Sequence, residues 1–350
     1  MGCSVVTRRI LTGAYSSHYR GCMNSRLISL LLIAFFILAV PFRSPAPLVY
    51  RPGEGWTYEP VGGGGKWRKT RAKDQLDVAQ EAFDHKDYGL ALKAARRVVK
   101  VWPLSDYGPQ AQYLVARCYE ARGNEERAYK EYQTVLEKYP KIANYQDVLQ
   151  RQYAIADHYL GGKWFRLWGY IPLFKSMDRT ADMYNKIVKN GPYSDIAPQA
   201  QLKIGAAREK QKSYPLAVKA YELAADRYHD RPQVAAEAIY RAGLAYNKQA
   251  QTAEYDQTTA GQAITAFTDF ITLYPTDKRV PQAQQIITSL KTEQARGNFQ
   301  TARFYERYKK WNGALVYYNE VLVQNPNSPY ASQARERIDT LKKRTETASQ

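Results

Sequence analysis

The chain has 350 residues, 45 % of them hydrophobic, which is ordinary for a globular protein and leaves room for a sizeable core. Its formal net charge is +18, and half of that lies in Met1 to Lys73, where eleven Lys or Arg face two Glu. The excess reads as a solvated basic tail or as attraction to an anionic membrane surface. Without zinc-finger spacing, an RNP-like segment or a dense basic stripe, it excludes nucleic acid as the expected partner. Three cysteines, two of them (Cys3 and Cys22) before the first apolar run, exclude a disulfide framework in the folded part, and Cys118 reads as a small core residue.

Residues 1–47 read as a signal sequence or N-terminal anchor. Leu27 to Val40 (LISLLLIAFFILAV) is shorter than the roughly 20 residues of a comfortable membrane span and fits the apolar region of a secretory signal. Met23 is then the expected start. MGCSVV at the very beginning fails as a myristoylation signal, because Val6 stands where Ser or Thr is needed. Residues 48–73, basic and rich in Gly and Pro with GGGG at Gly62 to Gly65, read as a flexible linker. The GGGGK stretch is no phosphate loop, because Trp67 replaces the hydroxyl residue and no strand is expected before it.

From residue 74 to 345 one pattern recurs: a small residue, an aromatic or small residue four later, and a proline twelve after the first. It occurs at Ala91-Ala95-Pro103, Ala128-Tyr132-Pro140, Thr180-Tyr184-Pro192, Ala263-Phe267-Pro275 and Ala314-Tyr318-Pro326, with Ala217-Tyr221 as a copy in which His229 replaces the proline. Residues four apart share a helix face, so the small residue admits a partner helix and the ring fills the gap beside it. Proline then ends the helix. Small residues twelve earlier (Ala79, Ala116, Gly205 and Ala302) mark the preceding helix, and Ala156 and Gly243 play that role before longer loops at Gly161 to Ser176 and Gln249 to Thr259. The spacing predicts an all-α, right-handed α-solenoid of about six tetratricopeptide-type helical hairpins, with a C-terminal capping helix from about Pro329 to Arg344. A tail is expected at 346–350.

Chemistry-bearing constellations are missing. His18, His85, His158 and His229 are scattered, and no catalytic or dinucleotide-binding motif occurs. Acidic residues stand beside Lys or Arg at helical spacing, as in Asn124 to Tyr132. No enzyme activity, cofactor or metal is expected. Binding surfaces are. First helices should line the inner face with Tyr113, Arg117, Tyr240, Phe299 and Arg303, aromatics and arginines suited to an extended peptide. The insertion at 161–176 crowds Trp164, Phe165, Trp168 and Phe174 into KWFRLWGYIPLFK. Such a segment either folds back on the solenoid, forms a partner hot spot or dips into a membrane interface.

From Gly261 to Lys343 the stretches AITAFTDFITLYP and TARFYERYKKWNGALVYYNEVLVQNPNSPYASQARERI resemble the last repeats of the BamD (YfiO/ComL) family of outer-membrane assembly factors. The aromatic pair Phe304 and Tyr305, then Trp311, then a second helix ending in proline carry the likeness. Looser similarity runs back to about Asp74. The resemblance implies a periplasm-facing, outer-membrane-associated scaffold. It implies docking on the β-barrel insertase through the C-terminal repeats and handling of unfolded barrel proteins or extended peptides. Two departures stand out: no Cys follows Val40, where family members carry a lipid-anchoring Cys, and the insertion and an extra repeat exceed the usual five-repeat form. A different periplasmic tetratricopeptide scaffold, coordinating cell-wall synthesis or division, is the other reading of the same pattern.

Overall fold

The computed structural model describes residues 48–58, 67–167, 171–252 and 257–347. The apolar run Leu27–Val40, the expected start at Met23, Cys3 and Cys22, Gly62–Gly65 and Trp168 lie outside them. Among the described residues thirteen helices form six hairpins and a cap. The pairs are α1 (Ala72–Asp84) with α2 (Tyr88–Val101), α3 (Gly108–Ala121) with α4 (Glu125–Lys138), and α5 (Tyr145–Leu160) with α6 (Met177–Asn190). They continue with α7 (Ala197–Lys210) and α8 (Tyr214–Arg227), α9 (Pro232–Thr252) and α10 (Gln257–Leu273), and α11 (Val280–Arg307) and α12 (Trp311–Gln324). The cap α13 spans Ala331–Thr347. Each helix packs on its neighbours in sequence, the one-dimensional arrangement of a solenoid.

Two recurring turns build this order. Within four of the hairpins the first helix ends on a left-handed residue: Lys86, Gly123, Lys212 or Lys309, with φ between 57 and 71°. The next N–H then reaches back to the carbonyl of Ala82, Tyr119, Arg208 or Tyr305 at 2.8–3.0 Å, which satisfies an orphaned helix-end carbonyl. Only Gly123 adopts this conformation without strain; each lysine costs about 1 kcal/mol. Between hairpins the residue before proline is forced out of the helical region. Trp102, Tyr139 and Gly191 sit at φ −128 to −132° and ψ 58 to 67° before Pro103, Pro140 and Pro192. Where His229 replaces proline, Tyr228 stays closer to helix at φ −118°, ψ 34°.

The core confirms the small–ring pattern. Tyr132, Tyr184, Tyr221, Phe267 and Tyr318 are fully buried, as are Ala79, Ala116, Ala156 and Ala302. A Cβ at Gly205 would stand 2.4 Å from the Tyr221 ring, and one at Gly243 2.9 Å from Phe267. The small residue is therefore required by the ring across from it. Cys118 is buried in the same core, and burial pushes its thiol up to about 11, so it is inert at neutral pH.

Four features depart from the sequence reading. The helix α11 runs unbroken for 28 residues, because nothing after Pro281 interrupts it except Gly297, which a helix tolerates. The loop expected at Gln249 to Thr259 is shorter, since α9 takes in Gln249 to Thr252 and α10 begins at Gln257. Gln and Ala there favour helix. The insertion contains an antiparallel pair, β3 (Phe165–Leu167) and β4 (Ile171–Phe174), with Phe165 opposite Phe174. Aromatic and branched residues suit a pleated ribbon.

The start of the expected linker is a second ribbon, β1 (Leu48–Arg51) and β2 (Gly55–Tyr58), with Gly53 and Gly55 at φ 79 and 75° in its turn. Tyr50–Thr57 belong to the same compact unit as the solenoid. The Asp106 N–H donates to the Gly53 carbonyl at 2.8 Å, and buried Glu54 pairs with Arg51 at 3.8 Å. Farther on, fully buried Gln75 donates to the Trp67 carbonyl and accepts from the Lys69 N–H, so residues 67–69 are pinned to α1.

Candidate functional site

The first helices carry a polar ladder that the sequence reading missed. In three hairpins the buried tyrosine of the second helix donates its hydroxyl to a glutamate twelve residues earlier: Tyr132 to Glu120, Tyr221 to Glu209 at 2.8 Å, and Tyr318 to Glu306 at 2.7 Å. Each glutamate also meets a cation from the next first helix or the cap: Arg151 at 3.3 Å, Lys248 at 3.2 Å, and Arg337. The fourth tyrosine hairpin does the same with Asp157, which accepts from Tyr184 and pairs with Lys203 at 3.3 Å. Burial, reinforced by the adjacent carboxylate, holds the phenols of Tyr132, Tyr184 and Tyr221 far above their ordinary range. These groups are permanent donors that brace the repeats. The signal was readable: Glu stands four residues after the small residue in each case (Ala116, Gly205, Ala302).

Two grooves hold five of the twelve expected binding residues. The first, about 620 Å³, lies between α1, α3 and the turn before α5, lined by Gln80, Phe83, Tyr113, Arg117 and Asn144 among others. The Arg117 guanidinium covers the Phe83 ring at 5.4 Å and donates to the Tyr113 hydroxyl at 3.2 Å. That hydroxyl also accepts from Arg151 at 3.1 Å and donates to Asp147. Tyr113 and Arg117 therefore form one wall whose polar atoms are already organised.

The second groove, about 800 Å³, opens between the C-terminal part of α11, α12 and the cap, and brings Phe299, Arg303 and Trp311 together. Arg307, Arg337 and Arg344 line it as well, against Glu306 and Glu336. Glu306 is engaged by Arg337 and Tyr318, and Arg344 lies over the Trp311 ring at 5.8 Å. Phe299 is 8 % exposed and packs edge-on against Tyr318, while Arg303 is exposed. The groove thus offers an apolar floor under an arginine rim, a setting for a carboxylate-bearing or acidic chain.

The remaining expected residues are dispersed. Tyr240 is 6 % exposed; its ring meets Phe267 edge-on, and Arg279 lies over its face at 4.8 Å. Phe304 is exposed, perpendicular to Tyr305 and 4.7 Å from Tyr308, while Tyr305 stacks on Tyr317 at 5.4 Å. In the insertion, Phe165 is buried and stacks on Tyr159 at 4.2 Å, whereas Trp164 is half exposed with the Lys175 ammonium above its ring. Phe174 faces Phe165 in strand register. Among the described residues no three His, Cys, Asp or Glu side chains gather as a metal site, and no helix is long and apolar enough to cross a membrane.

The YfiO family model, described as an outer membrane lipoprotein, matches residues 175–334, beginning where the aromatic insertion ends. A tetratricopeptide repeat model matches residues 110–141. No curated protein matches the chain. Similar solved structures include the C-terminal part of a repeat-containing protein from Cytophaga hutchinsonii, at 14 % identity over 75 % of this chain and 87 % of that one, TM-score 0.34. Another is a tetratricopeptide repeat protein from Parabacteroides merdae, at 12 % identity over 77 % and 98 % of the two chains, TM-score 0.32. The MamA protein of Desulfovibrio magneticus shares 14 % identity over 59 % and 97 %, TM-score 0.31. The chain is a tetratricopeptide-repeat protein, and over residues 175–334 it is similar to the YfiO family of outer-membrane lipoproteins.

Proposed function

We propose that this protein is a non-catalytic scaffold of the cell envelope, facing the periplasm at the outer membrane, that assists assembly or insertion of β-barrel proteins by holding partner chains. The observation that carries the reading is the YfiO match over residues 175–334, which contains the whole C-terminal groove except three lining residues of the cap. Within that groove the partner would be the barrel insertase, met by an acidic segment lying on Phe299 and Trp311 and paired with Arg303 and Arg307. The N-terminal groove, with Phe83, Tyr113 and Arg117, would receive an extended segment of an unfolded barrel protein. Bracing of every tyrosine hairpin by its carboxylate ladder supports such a role, because a preorganised groove loses little freedom when a partner docks.

Affinity purification of the full chain from native membranes tests the proposal. The insertase should co-purify with the wild type, and Arg303→Glu with Arg307→Glu should reduce the recovered insertase at least tenfold. Recovery of cell-wall synthesis or division proteins in its place would overturn the barrel reading in favour of another envelope scaffold.

A further inference from the structure

The ribbon at the start of the solenoid carries an aromatic face left exposed among the described residues. Tyr50 and Trp56 are 58 and 68 % exposed, and their rings lie 5.3 Å apart across β1 and β2. The ribbon is held firmly: the Gly53 carbonyl accepts from Asp106, and Glu54, 6 % exposed, is within 3.5 Å of the Lys73 N–H at the start of α1. That contact places the ribbon beside four exposed cations, Arg68, Lys69, Arg71 and Lys73. Glu54, the acidic residue of the ribbon turn, is already neutralised by Arg51.

Two aromatics displayed beside a cluster of cations match the chemistry of a bilayer interface. Tyr and Trp rings settle at headgroup depth there, and Lys and Arg are attracted by anionic lipid. Charge points to that occupant: Met1 to Lys73 carries eleven Lys or Arg against two Glu, an excess that anionic lipid attracts.

We propose that the Tyr50–Trp56 face, with Arg68, Lys69, Arg71 and Lys73, is an interfacial foot that rests on anionic lipid and holds the first hairpin at the membrane surface. The proposal rests on the envelope reading, but it can fail separately from it.

The test uses the full chain reconstituted into vesicles of phosphatidylcholine and phosphatidylglycerol, with bromine placed near the headgroup on the phosphatidylcholine. Flotation reports membrane association, and tryptophan quenching reports the foot. Trp56→Phe supplies the difference signal, which is one tryptophan's share of the six in the chain. The ring is exposed, so the variant folds. We expect flotation, with a Trp56-specific quenched component that shrinks as salt is raised and in the Lys69→Gln, Arg71→Gln variant. Flotation without any Trp56-specific quenching would overturn the foot and leave the envelope reading standing. Trp56 shielded from aqueous iodide yet unquenched by bromolipid would overturn it in favour of a protein cover. A chain that does not float would sink the foot.

Discussion

The hairpins built on a tyrosine and the one built on Phe267 solve the same packing problem with different electrostatics. In the tyrosine hairpins the ring enters a notch left by Ala or Gly, and its hydroxyl finds a carboxylate on the first helix. That carboxylate then recruits a cation from the next repeat, so one side chain joins three helices. In α9–α10 the ring sits against Gly243 in the same way, but it has no hydroxyl, and Asn247 stands where the glutamate would be. The cation has moved. Arg279, the residue before α11, clasps Asp277 at 2.7 Å and Glu237, and covers Tyr240 and Phe270 at 4.8 and 5.3 Å. The packing step is thus conserved in form while the inter-repeat tie is interchangeable, provided every buried polar group keeps a partner.

The largest expected effect comes from filling a notch. Gly205→Val drives a branched side chain into the Tyr221 ring and should cost about 3 kcal/mol or more, read as a drop in urea midpoint. The next is an exchange of the two solutions. Phe267→Tyr introduces a hydroxyl with no carboxylate waiting and should destabilise by about 1–3 kcal/mol, whereas Tyr221→Phe removes one hydrogen bond and should cost about 1–2 kcal/mol. If Phe267→Tyr were neutral, the two kinds of hairpin would be equivalent and the contrast would collapse.

The arginine clasp has its own pH signature. The guanidinium of Arg279, through its hydrogen bond, holds Asp277 down to about 2 from 3.8. A carboxylate depressed on folding adds stability that is complete above about pH 4 and disappears as pH falls through 2. Arg279→Gln should therefore destabilise by about 2 kcal/mol at pH 7 and by much less at pH 2, as measured by urea unfolding at the two pH values. The smallest effect is a gain. Gly261 in α10 has nothing within 4 Å of where a Cβ would sit, so Gly261→Ala should stabilise by about 0.5–1 kcal/mol.

Most of the architecture was legible because it rests on local, repeated constraints: a small residue, a ring one helical turn on, and a proline that forces its predecessor out of the helix. Six hairpins and a cap follow from those alone. The ribbons were not legible, because Leu48–Tyr58 and Phe165–Phe174 are single occurrences whose pairing depends on where the solenoid holds their ends. The left-handed Lys86, Lys212 and Lys309 also hid, since lysine gives no hint of that conformation and only Gly123 shows it openly. Of the expected binding residues, Phe299, Arg303 and Trp311 share a groove, as do Tyr113 and Arg117. Tyr240 could not be separated from them by spacing alone. Its ring lies inward because α10 offers two phenylalanines to receive it.

The 28-residue α11 belongs to two packing neighbourhoods at once. Ala283, near its start, sits with Tyr240, Phe267 and Phe270, and Ala295 to Ala302 sit with Tyr318 and Leu341. At 1.5 Å per residue it is a strut about 42 Å long. Flexing between the fifth and sixth hairpins means bending the strut itself. Torque applied to the cap by a docked load is therefore delivered to the Arg279 clasp without slack, and the final two repeats respond as a single lever.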